Sequence, residues 1–516
     1  MTEITTVHGL LAFQARRHPD REALVATAGD GAPVRWSYRQ LEERVDAVAR
    51  FLVSATRPGD RIAIWAGNDA EWVEIEYAAA RAGRVLVALN PALTADELRY
   101  ALTHSGAVLL LHGARYRGVD MAGVASAISA ECPRLQTVVS LSDRSWLFDA
   151  DSVELPPPPV DPDAIFMIQY TSGTTGRPKG VLLSHRSALS AVTAYVRRLD
   201  LRDGTVCVNP MPMFHTGGCI IALLAIHLLG GRLVLLSRFG AHDVLVVSRE
   251  EQADMTIAVP TMLHDLLAAV SEGAPAHQYR TISSGAAPTS PALIARAQTV
   301  FGAVVHAVYG QTEIGSAALA TSRADSDKDH ATTVGTPFEG IQCRIMEPVR
   351  GRECACGEIG ELWLRGDQVM AGYLDDPEAT EATIVEGGWL RTGDLGVMDE
   401  RGYVRITGRL KELINRGGEN ISPLEIEECL RSGGKLVDAA VVGLPDDRLG
   451  EVVAAVVRAD GPVSREELEE WCRARLTRFK VPSRWFVVDD YPLTPSGKIR
   501  KHVLTEMLQA GSVREI

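Results

Sequence analysis

Short apolar runs recur along the first four hundred positions, each followed by a longer stretch with helical spacing. Arg61-Ile-Ala-Ile-Trp65, Val85-Leu-Val-Ala-Leu89, Val108-Leu-Leu-Leu-His112, Thr137-Val-Val-Ser-Leu141 and Arg232-Leu-Val-Leu-Leu236 are such runs. Apolar side chains at consecutive positions, not alternate ones, mean that both faces of each strand are covered. That pattern predicts parallel sheets flanked by helices, an α/β fold. After Arg405 the texture changes. Ile406 to Ile414 leads into Asn415-Arg-Gly-Gly-Glu-Asn420, and Ser422-Pro-Leu-Glu425 reads as a capping box opening a helix. The runs Val437–Val442, Val452–Val457 and Arg484–Val488, with a helix near Ser464–Leu476, predict a small α+β domain of about a hundred residues. Pro156-Pro-Pro-Pro159 is a stiff linker ahead of the apolar strand Ile165–Tyr170.

At 516 residues the chain is too long for one core. Its formal net charge of −13 and lack of a cationic stripe exclude a bulk nucleic-acid binder. The eight cysteines form no framework, which fits a reducing compartment, and Cys354-Ala-Cys356 is a loop thiol pair without the partners a zinc site needs. The N-terminus carries acid and no long apolar run. The most apolar stretch, Cys219 to Leu229, is interrupted by His227 and too short to span a bilayer. The expectation is a cytoplasmic protein with no transmembrane segment and no nucleic-acid partner; its composition leaves monomer or homodimer open.

The candidate chemistry begins after the strand Ile165–Tyr170. Thr171-Ser-Gly-Thr-Thr-Gly-Arg-Pro-Lys179-Gly180 offers four hydroxyls, three glycines and two cations. Glycine lets successive backbone N–H groups converge on an anion, the hydroxyls add donors, and Arg177 and Lys179 supply counter-charge. The spacing is not that of a P-loop, because Gly173 and Gly176 are three apart and Lys179 precedes Gly180. The string resembles the phosphate loop of the adenylate-forming superfamily, which includes acyl-CoA synthetases, luciferases and peptide-synthetase adenylation domains. Further segments resemble that family in the same order, from about residue 30 to residue 501.

The resemblance implies a large N-terminal domain (1–408) of layered, mostly parallel sheets with helices plus a small β-barrel-like part. It also implies a hinge at 409–411, with Lys411 as the hinge residue, and a small mobile C-terminal α+β domain (412–516). By the same resemblance Thr171, Ser172, Gly173, Thr174, Thr175, Gly176 and Lys179 grip the phosphates of ATP. Gly285, Ala286 and Ala287 of Ser283-Ser-Gly-Ala-Ala-Pro288 form the adenine-side loop. In Val308-Tyr-Gly-Gln-Thr-Glu-Ile314, Tyr309 flanks adenine beside Gly310 and Gln311, Thr312 meets the α-phosphate, and Glu313 holds Mg²⁺. One carboxylate with phosphate oxygens and water suits that ion. Read by itself, Thr312-Glu313 is a helix start with Thr as cap, which is also a good anion site. Asp394, aided by Arg409, accepts the ribose hydroxyls. Lys498, in Leu493-Thr-Pro-Ser-Gly-Lys-Ile-Arg-Lys501, is the catalytic lysine, and Gly417 and Gly418 let a pantetheine arm pass close to backbone.

The implied reaction is ATP-dependent acid–thiol ligation: a carboxylate gives acyl-AMP and pyrophosphate, then coenzyme A displaces AMP. Pro210-Met-Pro-Met-Phe-His-Thr-Gly-Gly-Cys-Ile220 resembles the segment bordering the acid. His215 there either shapes the pocket, contacts the carboxylate, or packs as a buried histidine. Phe214-His215-Thr216 stands where amino-acid-activating relatives carry an Asp, which points to an acid lacking an α-amine. Gly217, Gly218, Cys219, Ile220 and Leu223 suggest an apolar tunnel for a medium- or long-chain fatty acid or a simple aromatic acid. Two other readings stand beside this one: an acyl-AMP ligase that loads an acyl carrier protein, and a non-catalytic nucleotide-binding homologue.

Overall fold

The computed structural model describes residues 4–516 except 28–30, 151, 172–177, 288, 349, 435, 460 and 494–498. The chain divides into two compact units. The first comprises Met1–His330, Gly335–Gln342 and Arg365–Leu390; the second comprises Ala331–Val334, Cys343–Leu364 and Arg391–Ile516.

Two mostly parallel sheets build the first unit. The smaller has seven strands in the order Gly372–Tyr373, Lys179–Ser184, Ile165–Thr171, Val85–Leu89, Arg61–Trp65, Leu109–His112 and Thr137–Ser140. Its last five strands are parallel, and Ile165–Thr171 turns back antiparallel into Lys179–Ser184. The larger has nine strands, with Val206–Asn209, Arg232–Leu235, Met255–Ile257, Thr281–Gly285 and Val304–Tyr309 as its parallel centre. Four of the apolar runs of the sequence become central strands; the run at Thr137–Ser140 is instead an edge strand and only partly buried.

Helix Ala70–Ala82 is buried almost throughout, although its sequence holds three glutamates. Glu74 pairs with Arg44 and, at 2.6 Å, with Arg144, so its charge is compensated. Glu76 is fully buried and neither carboxyl oxygen has a hydrogen-bond partner. Burial raises its pKa well above the ordinary carboxylate range, which favours the protonated, neutral form.

The second unit contains most of a five-stranded, barrel-like sheet, including Gln342–Met346, Gly360–Arg365, Trp389–Met398 and Val404–Arg409. Its other sheet is six-stranded and centred on Gly450–Arg458. Alternation decides which helix covers which face. Val441, Ala455 and Trp485 pack with Ile426 and Leu430 of helix Pro423–Arg431, whereas Val442, Ala454 and Phe486 pack with Leu504 and Leu508 of helix Lys501–Gln509. Helix Pro423–Arg431 starts where the sequence places it, but no capping box forms. The Ser422 hydroxyl donates to the Thr407 carbonyl at 2.5 Å, and Glu425 pairs with Lys480 at 2.7 Å. Both side chains have stronger partners elsewhere than the orphan N–H groups they were expected to satisfy. The thiols of Cys354 and Cys356 point to different carbonyls, those of Ile359 and Met398. Among the described residues, no helix is long and apolar enough to cross a membrane.

Candidate active site

In the first unit the strands on either side of the hydroxyl-rich loop, Ile165–Thr171 and Lys179–Ser184, pair antiparallel. Thr171 and Lys179 face each other, and Gly180 pairs with Tyr170. Ser172, Gly173, Thr174, Thr175 and Gly176 lie outside the described residues. The Lys179 ammonium sits 4.7 Å over the ring of Tyr373 and 4.0 Å from Asp376.

The two signature segments leave neighbouring parallel strands at their C-terminal ends, where open α/β sheets form ligand crevices. Thr281–Gly285 runs into Ala286 and Ala287, and Val304–Tyr309 runs into Gly310 and Gln311, with Gly285 opposite Val308. A Cβ on Gly285 would collide with the Val308 carbonyl oxygen, so only glycine permits this approach. Ala286 adopts φ +69°, a left-handed conformation that redirects the chain out of the strand.

Thr312 and Glu313 do not start an α-helix. They belong to a three-residue 3-10 turn, Thr312–Ile314, ended by Gly315 at φ +68°. The expected helix start is absent, and with it any helix dipole: Gly315 closes the turn before a second can form. Instead the turn aims Glu313 at a neighbouring strand, where its carboxylate accepts the Tyr373 phenol at 3.0 Å and its carbonyl accepts Met370 N–H at 2.9 Å. One phenol occupies one carboxylate site and leaves further lone pairs, an all-oxygen environment that suits Mg²⁺ shared with phosphate and water. Among the described residues, no group of three or more His, Cys, Asp and Glu side chains gathers as a cage for a metal.

His215 is half-buried just ahead of a π-helix, Gly217–Leu224, a form concentrated at functional sites. Its Nδ1 accepts Gly217 N–H at 3.1 Å, so the ring is tied to the turn it precedes. Gly218 packs so close to the Pro212 carbonyl that a side chain has no room, and Cys219, Ile220 and Leu223 are fully buried. The segment is anchored from far away in sequence: the Asn68 amide donates to Met211 O at 2.9 Å and Leu236 O at 3.0 Å, and its oxygen accepts Met213 N–H at 2.8 Å.

In the second unit Asp394 and Arg409 are direct cross-strand neighbours. Asp394 is almost completely buried, and Arg409 Nε lies 2.8 Å from its carboxylate. The turn before it is held by buried Glu361, which accepts Gly393 N–H at 3.1 Å and pairs with Arg391. Gly417 and Gly418 form the two-residue turn between strands Ile414–Arg416 and Glu419–Ile421. Their φ values of +62° and +93° explain both glycines, because such a hairpin turn needs a left-handed pair. Lys411 lies in the short turn Leu410–Glu412, and Lys498 lies outside the described residues.

Tyr373, Asp376, Asn68 and Glu361 carry no sequence signature and are found only by the contacts they make.

Family comparison agrees with this arrangement. The model of the AMP-binding enzyme family matches residues 11–374, and that of its C-terminal domain matches residues 425–498. A propanoyl:CoA ligase of Rhodococcus jostii (strain RHA1), acting on a methyl-dioxo-octahydroindenyl acid, is 34% identical over 95% of this chain and 98% of its own length. The medium-chain acyl-CoA ligase ACSF2, mitochondrial, of Homo sapiens is 32% identical over 98% of this chain and 88% of its own. The o-succinylbenzoate coenzyme A synthetase MenE of Bacillus subtilis, solved with ATP and magnesium ion, superposes with a TM-score of 0.83 at 30% identity, covering 96% of this chain and 98% of that one. The order of its motifs, its two sheets and its relatives along nearly the whole length place the chain in the adenylate-forming AMP-binding enzyme family.

Proposed function

We propose that the chain is an AMP-forming acid–CoA ligase. A carboxylic acid attacks ATP to give an acyl-adenylate and pyrophosphate; the thiol of coenzyme A then displaces AMP to give the thioester. The observation that carries this reading is the convergence of Glu313 and Lys179 on Tyr373, in a chain whose relatives are named as CoA ligases.

Magnesium, when bound, neutralises the charge that builds on the phosphates. The chain's own groups do the rest. Thr171, Lys179 and the loop between them hold the β- and γ-phosphates, and Thr312 hydrogen-bonds the α-phosphate. Gly285–Ala287, Gly310 and Gln311 lie along adenine with Tyr309 on its flank. The buried Asp394 carboxylate, kept in place by Arg409, accepts the ribose hydroxyls. Lys498 brings positive charge to the α-phosphorus as the carboxylate attacks. The chain works as 1–408 and 412–516 about the hinge 409–411, and the Gly417-Gly418 turn serves the second half-reaction. Phe214-His215-Thr216 offers no carboxylate for an α-ammonium, and two relatives are named for a medium-chain acid and an alicyclic propanoic acid, which supports an acid of that kind.

The test is ATP–pyrophosphate exchange over short- to long-chain and aromatic acids, with and without coenzyme A. Exchange followed by coenzyme A consumption is expected with a medium-chain or alicyclic acid. Exchange without coenzyme A consumption would assign the carrier-protein reaction, and no exchange with any acid would remove the enzyme claim. Lys498→Ala is expected to slow adenylation by orders of magnitude while thioester formation from supplied acyl-AMP survives.

A further inference from the structure

Tyr373 sits where three backbone supports converge. The two-residue strand Gly372–Tyr373 pairs with the strand leaving the phosphate loop, Val181 opposite Tyr373. Leu374 N–H donates to Gly180 O at 2.7 Å, and Ala371 N–H donates to Leu182 O at 2.9 Å. Tyr373 N–H donates to Thr380 Oγ1 at 2.9 Å, and that hydroxyl in turn donates a hydrogen bond to Asp376 O at 2.8 Å. The backbone that carries the ring is therefore held without any ligand.

From this base the side chain reaches two charges of opposite sign. Its hydroxyl donates to Glu313 Oε1 at 3.0 Å while Met370, three residues earlier, holds the Glu313 carbonyl. Its ring face carries the Lys179 ammonium at 4.7 Å. A hydrogen bond to one carboxylate oxygen fixes the rotamer and presents the other oxygen, as outer partners of metal ligands do. A cation resting on a ring is held more weakly than one paired with phosphate, so Lys179 is parked, not trapped.

We propose that Tyr373 is the positioning residue that couples the metal carboxylate to the phosphate-loop lysine, presenting Glu313 to the divalent cation and Lys179 to the leaving pyrophosphate. This rests on the reading of Glu313 as the magnesium ligand.

The test uses the full chain, Mn²⁺ as a paramagnetic probe, and a non-hydrolysable ATP analogue, with binding read by titration and not by turnover. Tyr373→Phe removes only the hydroxyl. It is expected to weaken Mn²⁺ binding in the presence of the analogue by about 10-fold, with metal-free analogue affinity within about twofold of the parent and an unchanged melting temperature. Tyr373→Leu, which also removes the ring beneath Lys179, is expected to weaken metal-free analogue binding as well. Parent-like Mn²⁺ affinity in Tyr373→Phe overturns the proposal, provided Glu313→Gln lowers it. If Glu313→Gln has no effect on Mn²⁺ either, the metal reading of Glu313 has failed and the proposal falls with it. Equal loss of metal-dependent and metal-free binding in Tyr373→Phe also overturns it, since that reports general loosening.

Discussion

Lys501 and Glu412 stand 89 positions apart and meet at 2.9 Å, joining the residue after Lys411 to the helix that follows the Lys498 loop. The same ammonium lies 2.8 Å from Glu427, whose carboxylate also accepts Val441 N–H. Leu493 and Ile499 close the base of that loop by a β-bridge, and Arg500 N–H donates to Pro492 O at 2.7 Å. One lysine therefore satisfies two carboxylates and fastens three segments of the second unit. Lys501→Met leaves Glu427 buried beside a methyl group, and a loss of about 3 kcal/mol is expected on removing one partner of such a pair. Denaturant unfolding checks it, and Lys501→Arg is expected to restore most of the loss.

Asp394 is held ready by Arg409, so the two residues test one contact from two sides. Asp394→Ala removes the proposed ribose acceptor and is expected to raise the KM for ATP by roughly 10- to 100-fold, the range for a charged hydrogen bond. Arg409→Ala leaves the carboxylate but frees it, so a smaller rise in the same constant is expected. Steady-state kinetics at saturating acid measure both.

Gly418 is expected to act in one half-reaction and not in the other. Its φ of +93° makes any side chain strained, yet no atom lies within 4 Å of where a Cβ would sit. Gly418→Leu is expected to keep pyrophosphate exchange within about twofold and to slow thioester formation by at least about tenfold, roughly 1.4 kcal/mol of barrier. Parallel loss in the two assays would deny the turn its role in thioester formation.

His227 sets an acid limit on stability. Its Nε2 donates to Ala23 O at 3.1 Å, so its Nδ1 must accept from the Tyr77 hydroxyl at 2.8 Å, and the ring is fixed as neutral. Burial lowers its pKa from 6.5 to about 4. A depressed histidine contributes stability that is complete above 6.5 and is lost as pH falls toward 4, on the order of 3 kcal/mol. The acid limb of a stability profile is expected to flatten in His227→Gln.

Glu76 has the opposite sign. Its folded pKa lies above the unfolded value of 4.5, so the unfolded chain releases the proton first and stability declines as pH rises past 4.5. Glu76→Gln keeps the shape without the proton equilibrium. Its melting temperature relative to the parent is expected to rise between pH 5 and pH 8; a constant difference would show that Glu76 finds a partner in solution.

The legible parts of the chain were those whose signal is local. Arg61–Trp65 and Val85–Leu89 are strands at the predicted residues, because a covered parallel strand has to be apolar at nearly every position. The family and its reaction were legible because loops that approach phosphate need glycine and hydroxyls in a fixed order. What failed was local chemistry with a distant competitor. Ser422 and Glu425 have the spacing of a capping box, but Thr407 and Lys480 claim them. Thr312 looked like a cap, but Gly315 ends its turn before a helix can follow. Tyr373 was invisible because Glu313 is sixty positions away and its two-residue strand has no periodicity to read.

The Asn68 amide has a consequence for the order in which the protein is made. Its three backbone partners lie in Met211, Met213 and Leu236, the last 168 positions downstream. At synthesis rates of about 5–20 residues per second, that interval lasts roughly ten to thirty seconds. Throughout it the strand Arg61–Trp65 can be complete while the amide beside it still waits. The segment holding Met211 and Met213 therefore takes its final path only once Leu236 has been made, guided by a side chain made well before it.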